Sequence, residues 1–512
     1  MDLIEIPKLS KTDCIKSFTN FILKDYSYEN LYKLSRIGEL GQKNLRSIAW
    51  KIFMGVLPAR DSLANWVENL SYLRAEYKIL SDKMIKQQNF FKEEEDKIKE
   101  TKENIFTSKN TLLRKHSFMY KPYRLEKEIK KLINLDLDRT FQELALFHDE
   151  KIKNKLSHIL FLWNKENSEL GYQQGMNDIL SIIFLSLYPY YFPNNKNNTT
   201  EQLFKNSKNK NIDNNTIIQN AENIYLFFHD EDELESDLFI CFNTVMKKGI
   251  KSFYEYDFES DEEQFDYTKK LILFKNEYNL EKEELNSPLN IRCTMIIKEK
   301  LKILDNELYD HFNKIGLDCT IFLQRWLKCV FNREFELKEV LIIWDGVFST
   351  PDIKKGYNLI KIDLIALSMI LRIRNFLLLC DQNQCFMILL QYPRVDSILE
   401  LIIFSDKLEE AIIDLIEGRR SIFLENVKSF IINYKKDNNE EKKNNVSVVE
   451  NKNNILIGSN SDSDKEKEIL PIKSYEEGVE RLGNIFTKYH SLMNISDEKE
   501  FLNIIHFFNN YK

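Results

Sequence analysis

Ile133-Asn134-Leu135-Asp136-Leu137-Asp138-Arg139-Thr140-Phe141 and Gly171-Tyr172-Gln173-Gln174-Gly175-Met176-Asn177 are the two stretches around which the chain is read. Between them Ile152, Leu156, Ile159, Leu160 and Trp163 recur at helical spacing on one face, the pattern of an amphipathic helix. Arg139 and Gln174 therefore sit at two breaks in a helical pattern, separated by one helix and a short loop. A chain so patterned is expected to be all-α.

The local chemistry extends this. Thr140-Phe141-Gln142-Glu143 has the form of a capping box, in which the hydroxyl caps the amide three residues on and the glutamate reaches back. That reading starts a helix at Thr140 and leaves Arg139 just outside its first turn. Gln174 is placed similarly: Gly171 and Gly175 loosen the backbone, and Asn177 or Asp178 is expected to cap the apolar helix that begins at Ile179. Free N–H groups and the partial positive charge of a helix start suit a phosphate. A cationic fork and a neutral amide at two such mouths would suit gripping a phosphoryl group and orienting a water. Spacing alone favours the plainer alternative, a surface arginine beside a cap and a simple Tyr-Gln-Gln-Gly turn.

Composition narrows the function classes. The 512 residues are 43% apolar and carry only 13 Gly and 9 Pro, which argues for long helices and a sizeable core rather than a turn-rich β-sandwich or wholesale disorder. With 73 basic and 80 acidic side chains the net charge is −7, a balance that disfavours nucleic acid as the main partner. Cys14, Cys241, Cys293, Cys319, Cys329, Cys380 and Cys385 form no CxxC pair. They read as small buried hydrophobes of a reducing compartment, and no metal site is expected from them. Asp136 and Asp138 form a D-x-D pair, but no further ligands converge on it. The N-terminus is too acidic for a signal peptide, and no apolar run is long enough for a transmembrane span. The expectation is a soluble cytosolic protein that meets membranes only through partners.

Along the chain, residues 1–30 are a lead-in extension with a short helix near Ile15 to Leu23. Leu45, Ile48, Ala49, Ile52, Phe53 and Val56 make a core helix ended by Pro58. Residues 75–131 are strongly charged and read as a solvated helix or insertion. An Asn- and Lys-rich stretch at 193–215 is expected to be a disordered loop, and 255–267 an acidic insertion. Helical patterning resumes over 217–228 and 301–348, then in pieces from 364 to 404. Residues 406–434 read as a helical extension, 435–470 as a low-complexity linker, and 471–512 as a terminal helical segment. There is no G-x-x-x-x-G-K-[ST] loop, which argues against a stand-alone nucleotide hydrolase.

Three sets of residues together resemble the TBC domain family, the GTPase-activating proteins of Rab GTPases. Ile133-x-x-Asp136-x-x-Arg139 and Tyr172-x-Gln174-Gly175 match its I-x-x-D-x-x-R and Y-x-Q-G signatures. Arg46 with Trp50 resembles its opening signature, and Arg325-Trp326, Arg333-Glu334-Phe335 and Trp344-Asp345 its closing one. Arg139-Thr140-Phe141-Gln142-Glu143, Arg333-Glu334-Phe335 and Gln391-Tyr392-Pro393 look like a retromer-associated subgroup that regulates late-endosomal Rabs. The resemblance covers roughly residues 31 to 405. It implies the TBC helical fold of two helical subdomains, with low-complexity insertions.

It further implies that Arg139 is an arginine finger and Gln174 a glutamine finger acting on GTP in trans. Asp136, Thr140, Tyr172 and Gly175 would support them, Asp136 by holding the guanidinium one helical turn on. Arg46, Trp50, Arg325, Trp326, Trp344 and Asp345 would hold the domain together. No cofactor of its own is implied, since GTP and magnesium belong to the partner. That partner would be a Rab GTPase in its GTP form, with retromer or other endosomal coat components as further partners and endosomal or vesicle membranes as the setting. The competing reading is a catalytically weak TBC scaffold that recruits trafficking complexes, so the sequence leaves open whether the chain accelerates hydrolysis at all.

Overall fold

The computed structural model describes residues 3–104, 111–194, 199–205, 214–255, 287–349, 351–352, 356–357, 360–395 and 397–416. The described residues fall into two compact units, one within Met1–Ile291 and Gln324–Ile362, the other within Arg292–Leu323 and Asp363–Lys512. In chain order the helices are α1 (Lys11–Phe18), α2 (Tyr28–Arg36), α3 (Arg46–Phe53), α4 (Leu63–Asn104), α5 (Thr111–Asp138), α6 (Glu150–Glu166) and α7 (Met176–Leu187). Then follow α8 (Thr199–Lys205), α9 (Asn214–Gln219), α10 (Ala221–Phe228), α11 (Leu234–Lys247), α12 (Pro288–Met295), α13 (Asn306–Lys314) and α14 (Thr320–Lys328). The series ends with α15 (Leu337–Ser349), α16 (Ile360–Arg372), α17 (Gln382–Leu390) and α18 (Ile398–Ile416). Two short α-helical turns, Lys302–Leu304 and Arg374–Leu377, and several 3-10 and π turns join them. The fold class is all-α; among the described residues the one strand pair is a two-residue antiparallel hairpin, Pro351–Asp352 with Gly356–Tyr357.

In the first unit α7 is the hub. Every residue from Met176 to Leu187 is buried, polar Asn177 and Asp178 of its first turn included, and α3, α5, α6 and α11 pack around it. α6 starts where Asp149 accepts a hydrogen bond from the Lys151 amide at 2.8 Å, an N-cap. It buries Leu156, Ile159, Leu160 and Trp163, the stripe read from its spacing.

The opening and closing signatures meet. Arg46 of α3 donates to both carboxylate oxygens of Asp345 on α15, Nε to Oδ1 and Nη2 to Oδ2, each at 2.9 Å. Trp50 Nε1 donates to Asp345 Oδ1 at 2.7 Å, and the Trp50 and Trp344 rings stack with centroids 5.8 Å apart. Asp345 is fully buried, and burial pushes its carboxyl up against the opposing pull of Arg46. Trp326 is also fully buried, while Arg325 pairs with Glu334 at 2.8 Å. Asp345→Ala would leave a guanidinium and an indole N–H without their acceptor, so we expect a loss of about 3 kcal/mol in denaturant unfolding. A loss under about 1 kcal/mol would mean that this clamp does not hold α3 to α15.

A second buried cluster ties α3, α4 and α11 together. Lys51 Nζ donates to Asp237 Oδ2 at 2.8 Å and to the Phe228 carbonyl at 2.6 Å. Arg74 grips the same carboxylate through Nε at 2.7 Å and Nη2 at 2.8 Å, and the Tyr191 hydroxyl donates to Oδ2 at 2.5 Å.

The second unit uses the same devices. Arg292 and Lys300 converge on Asp363, at 2.6 and 2.5 Å. Arg374, itself buried, binds Asp305 and Glu307. Asp381 and Gln384 form a reciprocal capping box on α17. All seven cysteines are buried and free, as small hydrophobes.

Some sequence expectations are corrected. The Asn-rich stretch at 193–215 is not wholly unstructured: Thr199–Lys205 is helical and buries Thr200 and Phe204, its Glu201 accepting from Ser71 at 2.9 Å. The lead-in helix begins earlier than Ile15, at Lys11, where Ser10 accepts from the Asp13 amide. The acidic insertion past Glu255, the linker at 435–470 and the terminal segment at 471–512 lie outside the described residues. Among those described, no helix is long and apolar enough to cross a membrane.

Candidate functional site

The two clusters that open the sequence reading are brought to one cavity of about 430 Å³ in the first unit. The last turn of α5 contributes Asp136, and the loop after it Arg139, Thr140, Phe141, Gln142 and Glu143. Gln174 comes from the turn before α7, Asn177 and Asp178 from its first turn. Asn332 and Arg333 close the far side.

Arg139 does not precede a helix, as the capping-box reading held; it follows one. The Thr140 hydroxyl donates backwards to the Asp136 carbonyl at 2.7 Å, and Phe141 then turns into the left-handed region with φ +44°. α5 is thus closed at Thr140, and the next cap is Asp149. A helix C-terminus carries partial negative charge, which suits a cation. Gln174 does stand at a helix start, but neither Asn177 nor Asp178 caps it: Gly175 holds the N-cap position with φ +103° and no side-chain cap bond.

A buried relay joins the two breaks. The Tyr172 hydroxyl donates to Asp136 Oδ2 at 2.8 Å and lies 3.3 Å from Asn177 Oδ1. Asn177 Oδ1 also accepts from the Gly175 amide at 2.9 Å, and its Nδ2 donates to Thr140 Oγ1 at 2.9 Å. Burial, with Asp136 beside it, pushes the Tyr172 phenol far above its usual range, so it stays a donor. Asp136 consequently faces Tyr172, and no bond from the Arg139 guanidinium to it is observed; its main-chain carbonyl accepts the Arg139 amide at 3.2 Å. Asp138 points elsewhere, to Lys153 at 2.9 Å, so the D-x-D pair is divided between different partners.

The remaining carboxylate of the buried wall, Asp178, accepts from Arg333 Nη2 at 2.9 Å. Beside Arg333, burial raises Glu334 to about 7 against the pull of Arg325 and Arg333. With Asp136 and Asp178 engaged, Arg139 and Gln174 stand out. Both are exposed, and neither side chain has a hydrogen-bond or ion-pair partner among the described residues. A permanent cation with a planar donor fork suits an anionic group, and a carboxamide can donate and accept at once.

Asn177, Asp178, Asn332 and Arg333 were not read as site residues from the sequence. The signal for the first pair was available: an amide and a carboxylate side by side opening a helix that is otherwise without charge and wholly buried. Gly175 is needed for its geometry. A Cβ there would lie 3.2 Å from Tyr254 Oη and 3.7 Å from Cys329 Sγ, on a backbone L side chains rarely adopt. Gly175→Ala is expected to lower unfolding free energy by about 1–3 kcal/mol in chemical denaturation; an unchanged midpoint would count against this strain.

Residues 43–378 match the model of the Rab-GTPase-TBC domain. Among curated proteins, TBC1 domain family member 5 of Mus musculus is 26% identical over 370 residues, covering 72% of this chain and 40% of that protein. GTPase-activating protein GYP1 of Saccharomyces cerevisiae is 21% identical over 353 residues, covering 68% of this chain and 42% of that one. The chain thus spans about two fifths of these relatives' length. A crystal structure of the Ypt/Rab-GAP domain of Gyp1p aligns with a TM-score of 0.47 at 19% identity, over 79% of this chain and 100% of that one.

Proposed function

The chain belongs to the Rab-GTPase-TBC domain family, and on that premise we propose that it accelerates GTP hydrolysis by a Rab-family small GTPase in trans. Arg139 enters the partner's nucleotide site, where its guanidinium neutralises charge developing on the phosphoryl oxygens. Gln174 orients the attacking water by accepting from it and donating to it, removing no proton. Asp136, Thr140, Tyr172 and Gly175 hold the two in place. GTP and magnesium arrive with the partner, so the chain needs no cofactor of its own. The chain reaches endosomal or vesicle membranes through that partner and through coat components of the retromer kind.

The observation that carries this reading is that an exposed arginine and an exposed glutamine, neither engaged within the described chain, line one cavity whose two buried carboxylates are already paired. Purified Rabs loaded with GTP and mixed with excess protein in single-turnover hydrolysis test it. Acceleration of at least one Rab is expected. Binding of a Rab in its GTP form without acceleration of any would leave the scaffold reading in its place.

A further inference from the structure

The residues before α1 do more than lead into it. Ile4 forms a parallel bridge with Leu144: its amide donates to the Glu143 carbonyl at 2.8 Å, and its own carbonyl accepts from the Ala145 amide at 3.0 Å. Five residues on, the Leu9 amide donates to the Pro189 carbonyl at 3.0 Å. Lys8 Nζ donates to the carbonyls of Tyr188 at 3.0 Å and Tyr191 at 2.8 Å, lies 3.9 Å over the Tyr188 ring and pairs with Glu231 at 3.4 Å. One extended segment thus ties the loop after Arg139 to the turn that follows the C-terminus of α7, the helix whose other end carries Gln174.

That loop needs an external tie. From Thr140 to Leu144 it is neither helix nor strand, and Phe141 sits at φ +44°, a conformation costing of order 1–3 kcal/mol that persists only where the surroundings over-determine it. Glu143, whose carbonyl takes the Ile4 amide, lines the cavity with Gln142 and Phe141. The Ile4 side chain is 55% exposed, so its tie is made by the main chain.

We propose that residues 4–8 are a positioning strap: they hold the Phe141–Ala145 loop, and with it Arg139, in register with the start of α7. This rests on the activator reading above, since Arg139 matters only if it reaches a partner's phosphate. Displacing a catalytic group by about 1 Å can cost up to about 10²-fold in rate, so a loosened loop lowers the rate at saturation more than it weakens association.

The test compares Ile4→Pro, which removes the amide donated to Glu143, with Ile4→Ala, which keeps both main-chain bonds. Each is measured in the full chain by stimulated hydrolysis against protein concentration and by amide hydrogen exchange over residues 141–148. For Ile4→Pro the rate at saturation should fall about 10-fold, with half-saturation within about threefold and faster exchange at Ala145. Ile4→Ala should match wild type in all three. Unchanged exchange in Ile4→Pro overturns the strap whatever the hydrolysis assay gives. A shift in half-saturation alone also overturns it, because residues 4–8 would then touch the partner rather than hold the loop. Failure of the wild-type chain to accelerate any Rab would instead sink the activator reading, and the exchange readout keeps the two failures apart.

Discussion

Arg139→Ala is expected to slow stimulated GTP hydrolysis by about 10³-fold or more, while the protein unfolds at its wild-type midpoint and binds the GTP-form partner within a few fold. The magnitude follows from what a trans-acting arginine supplies in GTPase systems, about 10³–10⁵ in rate or roughly 4–7 kcal/mol of barrier. The unchanged midpoint follows from this chain: the guanidinium is exposed and has no hydrogen-bond or ion-pair partner among the described residues. Arg139→Lys should recover little, since an ammonium keeps the charge and loses the fork. Gln174→Ala should cost about 10²-fold, and the double variant should fall short of the product, because the two side chains act on one transition state. Single-turnover hydrolysis, paired with binding of the GTP form, separates the two effects. Equal rates for wild type and Arg139→Ala would remove Arg139 from the chemistry and leave only a helical binding surface.

What could be read in advance, and what could not, divides by distance along the chain. The α7 core followed from a densely apolar stretch beginning at Ile179, and α6 from a stripe at helical spacing. Both signals are local. The Arg46–Asp345 clamp joins side chains 299 positions apart, and periodicity says nothing about such pairs; only the resemblance to a family placed these residues in one role. The misread cap has a different cause. A threonine with a glutamate three residues on can open a helix or close the previous one, and the choice depends on whether its hydroxyl meets a free amide or a free carbonyl. Here it met the Asp136 carbonyl. The far wall of the cavity was least legible. Asn332 and Arg333 reach it because Val330 and Phe331 both take positive φ, 45° and 62°, which neither a β-branched nor an aromatic residue favours. Bonds from Trp344 Nε1 to the Val330 carbonyl, 3.0 Å, and from the Phe331 amide to the Trp326 carbonyl, 2.8 Å, hold them there. Tertiary contacts overrode local preference at the edge of the candidate site.

The largest stability effect is expected at Asp237. Its carboxylate accepts from both Lys51 and Arg74, whose side chains are 0% and 7% exposed, and His229 alongside is held neutral by burial and the nearby Lys51. Asp237→Ala orphans two buried cations and the Tyr191 hydroxyl at once. Removing one partner of a single buried pair costs about 3–5 kcal/mol, so this change should exceed that range and rival the total stability of an ordinary domain. Lys51→Met should be much milder, because it leaves one cation matched to one anion. If the two variants unfold at similar denaturant concentrations, the cluster is not held by its charges. The pH dependence gives an independent reading. Burial would push the Asp237 carboxyl up, but Arg74 and Lys51 more than offset it and hold the group well below the usual carboxylate range. Its contribution is therefore complete above the unfolded-state value of about 4 and is lost as pH falls below that. Asp237→Asn, which keeps the shape without the charge, should be less stable than wild type at neutral pH, and the gap should close on acidification below about pH 4. A gap that stays constant down to pH 3 would show that Asp237 holds these helices by shape and hydrogen bonds alone.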